Sequence, residues 1–180
     1  MPEYRRSLVP GGTYFFTVVT YERKNILIDQ KARNLLRDVW KDVSSRHPFE
    51  MVAYCILPNH FHVVMTLPEN DSNFSIRIRE IKRLFTLRYT GDRPNNISES
   101  RIKRKESSVW QRRFWEHVIR DENDLNRHIE YIHFNPVIHG LVDRVCDWES
   151  SSFHRFVKDG LYEPGWGESV SIDPDRNYGE

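Results

Sequence analysis

The chain is expected to fold as an α+β domain: a ferredoxin-like βαββαβ antiparallel sheet with helices on one face, plus a tyrosine-bearing helix after the last strand. Three observations predict this. Short runs rich in aromatic and β-branched residues alternate with longer runs of helical periodicity. Two of the short runs are separated only by Pro58-Asn59, a break or turn. No internal repeat is visible, and 180 residues suit one domain with a sizeable core.

The elements follow in order. "GGTYFFTVVT" (11–20) opens with a Gly-Gly turn and reads as the first strand. In "DQKARNLLRDVWKDVSSRH" (29–47), Leu35, Leu36, Val39, Trp40 and Val43 fall at helical spacing. "FEMVAYCIL" (49–57) is apolar on both faces, as a central strand is, and the next strand runs to about Leu67. "FSIRIREIKRLFTLRY" (74–89) reads as the second helix, with Asp71 or Ser72 as its cap and Gly91 as its end. The polar stretch 91–108 reads as a loop, mobile when nothing is bound. "VWQRRFWEHVIR" (109–120) has the content of a fourth strand with its lead-in. "DENDLNRHIEYIHF" (121–134) starts acidic and reads as the third helix, stopped or bent by Pro136. Residues 1–160 form the expected domain, and 161–180 an acidic C-terminal tail.

Composition excludes several classes. No apolar run is long enough to span a bilayer, and the N-terminus lacks the apolar core of a signal peptide. Cys55 and Cys146 are far apart and form no CxxC pair, which argues against a thiolate zinc site. A soluble cytoplasmic protein, nucleoid-associated if it binds DNA, is expected. The net charge of +1 hides an uneven distribution. Residues 77–120 carry 13 Lys and Arg against 5 Asp and Glu, or +8, while the remainder is −7. Polyanion binders are often built this way, although a solvated helix face with a charged loop has the same composition.

"LPNHFHVVMTLP" (57–68) interrupts an apolar strand with His60 and His62. Strand side chains alternate, so both imidazoles point to one face, roughly 7 Å apart at Cβ, with Phe61, Val63, Met65 and Leu67 on the other. Two neutral imidazoles held this way can close on one metal ion, though two polar residues on a half-exposed strand look the same. On the third helix Tyr131 and Asn135 stand at i and i+4 and share a face, with His128 one turn earlier.

Taken together, "YCILPNHFHVVMTLPEN" (54–70), "WQRRFWEHVIRDENDL" (110–125), "YIHFNPVIHGLV" (131–142) and "EYRRSLVPGGTYFFT" (3–17) resemble the single-tyrosine HUH transposases, and within them the REP-associated branch. His-x-His after Leu-Pro-Asn, followed downstream by Tyr-x-x-x-Asn-Pro, carries the resemblance. It implies that His60, His62 and Asn135 bind a divalent ion, Mg²⁺ or Mn²⁺, and that Tyr131 is the nucleophile. The implied activity is cleavage and rejoining of single-stranded DNA at the foot of a REP-type hairpin, through a covalent 5′-phosphotyrosine. Two imidazoles and an amide are neutral and would leave the ion its full charge for a phosphate.

The basic segment then acquires a role. Arg79, Lys82, Arg83, Arg101, Lys103, Arg104, Lys105, Arg112 and Arg113 are candidate phosphate contacts. Tyr4, Trp110, Phe114 and Trp115 are candidate base-stacking groups. Arg5 and Arg6 resemble the branch's DNA-contacting arm, and the branch's flanking target is typically GTAG. A monomer is expected and a dimer is the alternative. Two other readings stand beside this one: a domesticated hairpin-binding protein without catalysis, and a nuclease that uses activated water.

Overall fold

The computed structural model describes residues 8–91, 109–167 and 178–179. Its sheet has four strands, β1 (Thr13–Val19), β2 (Glu50–Leu57), β3 (His60–Thr66) and β4 (Trp115–Val118), in the order β2-β3-β1-β4. Every pairing is antiparallel, which is the predicted ferredoxin-like arrangement. The fourth strand is shorter than its sequence run, because residues 109–114 form a lead-in that pairs with the sheet only at the Thr20–Trp110 bridge and its Gln111 N–H to Val19 carbonyl bond.

Side-chain alternation divides the core in two. Tyr14, Phe16, Val18, Phe61, Val63 and Met65 face α1 (Gln30–Arg46) and α2 (Phe74–Thr90). Phe15, Ala53, Cys55, Leu57 and Val64 face α3 (Glu122–Ile138), which supplies Ile129, Tyr131 and Ile132. The tyrosine helix thus lies alone on its face of the sheet among the long helices.

Caps and stops explain where the helices begin and end. The Asp29 side chain accepts from the Lys31 N–H and starts α1. Asn73, not Asp71 or Ser72, caps α2 by accepting from the Ile76 N–H, while Asp71 Oδ1 accepts from the Asn73 N–H one turn outside. Gly91, at φ +52°, ends α2 as expected. Pro136 does not stop α3, which continues to Ile138. Proline removes one donor, but the His139 N–H bonds the Asn135 carbonyl and the Leu141 N–H the Pro136 carbonyl, so the last turn is satisfied.

Two features bear on the charge reading. Arg77, counted within the basic segment, is buried, and its guanidinium bonds the Pro48 and Asn73 carbonyls and Asp71 Oδ2. It braces α2 and contacts no solvent. Beyond α3, Ser150–Ser152 adds to the edge of β2 through Ile56 N–H to Ser150 O and Ser152 N–H to Tyr54 O. A short helix, α4 (Phe153–Lys158), follows and covers that edge.

Candidate active site

His60 and His62 sit on β3, flanked by both neighbouring strands: His62 pairs with Thr17 and Cys55, and His60 with Val19 and Leu57. Both are buried, with ring centroids 4.8 Å apart. His60 Nδ1 lies 2.6 Å from Asn59 Oδ1, an acceptor, so Nδ1 carries the proton. His62 Nδ1 lies 2.9 Å from Thr17 Oγ1. The Thr17 hydroxyl donates its proton to the Tyr178 carbonyl at 2.6 Å, so it accepts from His62 Nδ1–H. Both imidazoles therefore carry the lone pair on Nε2, the nitrogen each would give to a metal.

α3 crosses opposite. Tyr131 is buried with its ring 5.3 Å from that of His62 at 69°, and Asn135, one turn on, is fully buried. His139 continues the same face by a further turn, with its ring 5.3 Å from His60. One chain thus brings His60, His62, Tyr131 and Asn135 to one place. Sequence reasoning missed His139, although its i+4 spacing from Asn135 was a usable signal. It also missed Thr17, which looked like an ordinary strand residue.

Tyr178 is a neighbour of the site. Its ring lies parallel to that of Tyr131, with centroids 3.6 Å apart and an interplanar angle of 6°. Gly179 follows at φ +81° and presses on the Trp115 indole so closely that any Cβ there would collide with it. Two residues from the segment read as a tail are thus packed against the nucleophile candidate and β4.

The predicted DNA contacts divide. Arg79, Lys82, Arg83 and Arg112 line a groove of about 730 Å³ with Trp110 and Phe114 in its wall. Lys82 Nζ donates to the Gln111 and Arg112 carbonyls, and burial lowers its pKa to about 8. Arg83 pairs with Glu80 at 2.8 Å, which holds the carboxylate below its usual range. Arg113 lines an adjoining cavity of about 350 Å³, with Thr17, Trp115 and Gly179, that shares Gln111 and Phe114 with the groove. Tyr4, Arg5, Arg6, Arg101, Lys103, Arg104 and Lys105 lie outside the described residues, as does most of the 91–108 loop.

A sheet with a histidine pair on its inner strand, faced by a helix carrying a tyrosine, defines a class. The chain belongs to the IS200-like transposase family, whose model matches residues 9–135. Within it, an Escherichia coli K12 REP-associated tyrosine transposase is 42% identical over 171 residues, covering 95% of this chain and 94% of that protein. A Haemophilus influenzae protein provisionally assigned the same description is 49% identical over 173 residues, covering 96% and 97%. A solved REP-associated tyrosine transposase, bound to a REP hairpin, superposes with a TM-score of 0.84 at 40% identity, covering 100% of this chain and 98% of that one. The chain therefore falls in the REP-associated branch. Among the described residues, no helix is long and apolar enough to cross a membrane.

Proposed function

We propose that the protein cleaves and rejoins single-stranded DNA at the foot of a REP-type hairpin, with Tyr131 as nucleophile. The observation that carries this is the assembly of Tyr131 against His62 within one chain, on a family scaffold. The phenol oxygen attacks the scissile phosphorus, the 3′-oxygen departs and takes a proton, and a 5′-phosphotyrosine remains. A later attack by a 3′-OH reverses the step, so rejoining needs no ATP.

The donor set fits a divalent ion, Mn²⁺ better than Mg²⁺ because histidine is not magnesium's preferred partner: two imidazoles with Nε2 lone pairs, fixed by Asn59 and Thr17, and the buried Asn135 amide. When bound, such an ion supplies Lewis-acid stabilisation of the charge on the phosphoryl oxygens. The strand holds the histidines rigid, and the helix fixes Tyr131 over them. The groove along α2 is read as the track for phosphates, with Arg79, Arg83 and Arg112 as its cations and Trp110 and Phe114 as its apolar wall. The residues that complete the site in one chain support a self-sufficient monomer, with residues 1–160 as its catalytic domain.

The first test mixes end-labelled hairpin DNA bearing a flanking GTAG with protein and Mn²⁺, resolved on a denaturing gel. A metal-dependent covalent adduct is expected, and Tyr131→Phe should abolish it while keeping hairpin affinity within about threefold. Continued cutting by Tyr131→Phe would favour a water-using nuclease. Tight binding with neither adduct nor cutting would favour a hairpin-binding protein.

A further inference from the structure

We propose that His117, Asp124 and His128 form a second metal site, for a divalent transition-metal ion, at the junction of β4 and α3. His117 projects from β4, while Asp124 and His128 stand at i and i+4 in the first turns of α3. Each offers one ligand atom, and the three atoms lie within 4.8 Å of one another. His117 Nε2 is 2.7 Å from Asp124 Oδ2, and His128 Nδ1 is 3.4 Å from Asp124 Oδ1. The two imidazoles lie nearly parallel, centroids 4.6 Å apart and 18° between planes, so both present a nitrogen to the same carboxylate.

Two imidazoles and one carboxylate form a donor set suited to Zn²⁺, Fe²⁺, Co²⁺ or Mn²⁺, and less to Mg²⁺ or Ca²⁺. Burial works against the Asp124 anion, but hydrogen bonds from His117 and from the Arg120 N–H outweigh it and hold the pKa at about 2. With no ion bound, the His117 proton bridges ring and carboxylate where the metal would sit, and the His128 Nδ1–H bonds the Asp124 carbonyl at 2.7 Å. Ligation by His128 Nδ1 would release that bond. His117 is the least buried of the three side chains, at 22% exposure, and leaves an entry side.

Phe15 touches both centres, with ring centroids 4.8 Å from His128 and 5.5 Å from His62. An ion here would tie β4 to the helix that presents Tyr131, less than one turn before it. The inference does not depend on the DNA reading.

The test titrates the metal-free full chain with Co²⁺, followed by visible absorption and calorimetry. The wild type should take two equivalents and His60→Ala/His62→Ala one, with a rise in Tm. Adding His117→Asn and His128→Asn to that variant should remove the remaining equivalent. No binding by His60→Ala/His62→Ala, or persistent binding after all four changes, would overturn the proposal. Should the fourfold variant fail to fold, histidine ¹⁵N spectra of His60→Ala/His62→Ala with Zn²⁺ decide. Shifts at His117 and His128 support the site, and unchanged signals overturn it.

Discussion

Thr17 Oγ1 lies between His62 Nδ1 and the Tyr178 carbonyl, and its one proton serves the carbonyl. The hydroxyl therefore fixes the His62 tautomer from the second strand over in sequence. Thr17→Val keeps the shape but removes the acceptor, so Mn²⁺ affinity by calorimetry should fall about tenfold, in the usual range for lost outer partners. His133 is a different kind of histidine. It donates Nε2–H to Ser152 Oγ, whose own proton goes to the Tyr54 carbonyl, and it is enclosed by Phe156, Tyr162 and Trp166. Burial first, then Arg155 and His154, lowers its pKa to about 3. The unfolded chain takes up that proton near pH 6.5 and the folded one refuses it. Stability from this group is full above pH 6.5 and lost as pH falls towards 3, by up to about 1.4 kcal/mol per pH unit. His133→Gln should flatten the fall of Tm between pH 6.5 and 4.5. At this scale local spacing put His60 with His62, and Tyr131 with Asn135, on shared faces, while the meeting of the two pairs was implied only by the family resemblance; the Tyr131 ring lies 5.3 Å from that of His62. Thr17 and Tyr178 were not readable, since only tertiary packing brings them to His62 and Tyr131.

At the scale of elements, α3 is a ruler for the candidate site. Tyr131, Asn135 and His139 recur every four residues along it, and Pro136 leaves this face intact because the helix does not break there. Periodicity located all three long helices to within a few residues, since each buries a stripe against the sheet. α3 runs on past the proline because Pro136 removes only its own N–H, and the bonds from the His139 and Leu141 N–H groups close the last turn beyond it. α4 was missed because its six residues are too few to show a period. α2 shows how charge misleads. Arg77 lies in the basic run yet holds α2 to the turn before β2 through Pro48. Arg77→Met would leave Asp71 and those carbonyls without their partner. A loss on the order of 3 kcal/mol is expected by urea unfolding, with hairpin affinity little changed.

Taken whole, the molecule sets Tyr178 against Tyr131, the proposed nucleophile. The parallel Tyr131–Tyr178 stack covers one face of the Tyr131 ring, so in the proposed reaction Tyr178 would have to shift as DNA enters. Tyr178→Ala should therefore raise the initial rate of adduct formation severalfold without changing Tm by more than a few degrees. Equal rates for the two proteins would mean that the stack yields freely to DNA. Composition had marked this segment as acidic, which describes its average and conceals the aromatic residues that dock, Tyr162 and Trp166 around His133 and Tyr178 on Tyr131.

A site assembled from one polypeptide also limits what one copy can accomplish. With Tyr131 as the proposed nucleophile, one copy would retain one severed end at a time. Liberating a stretch of DNA with two boundaries then demands either a pair of molecules working side by side or one molecule acting twice in succession. In the second case the first end must be handed over before the next is taken, and excision becomes a matter of timing.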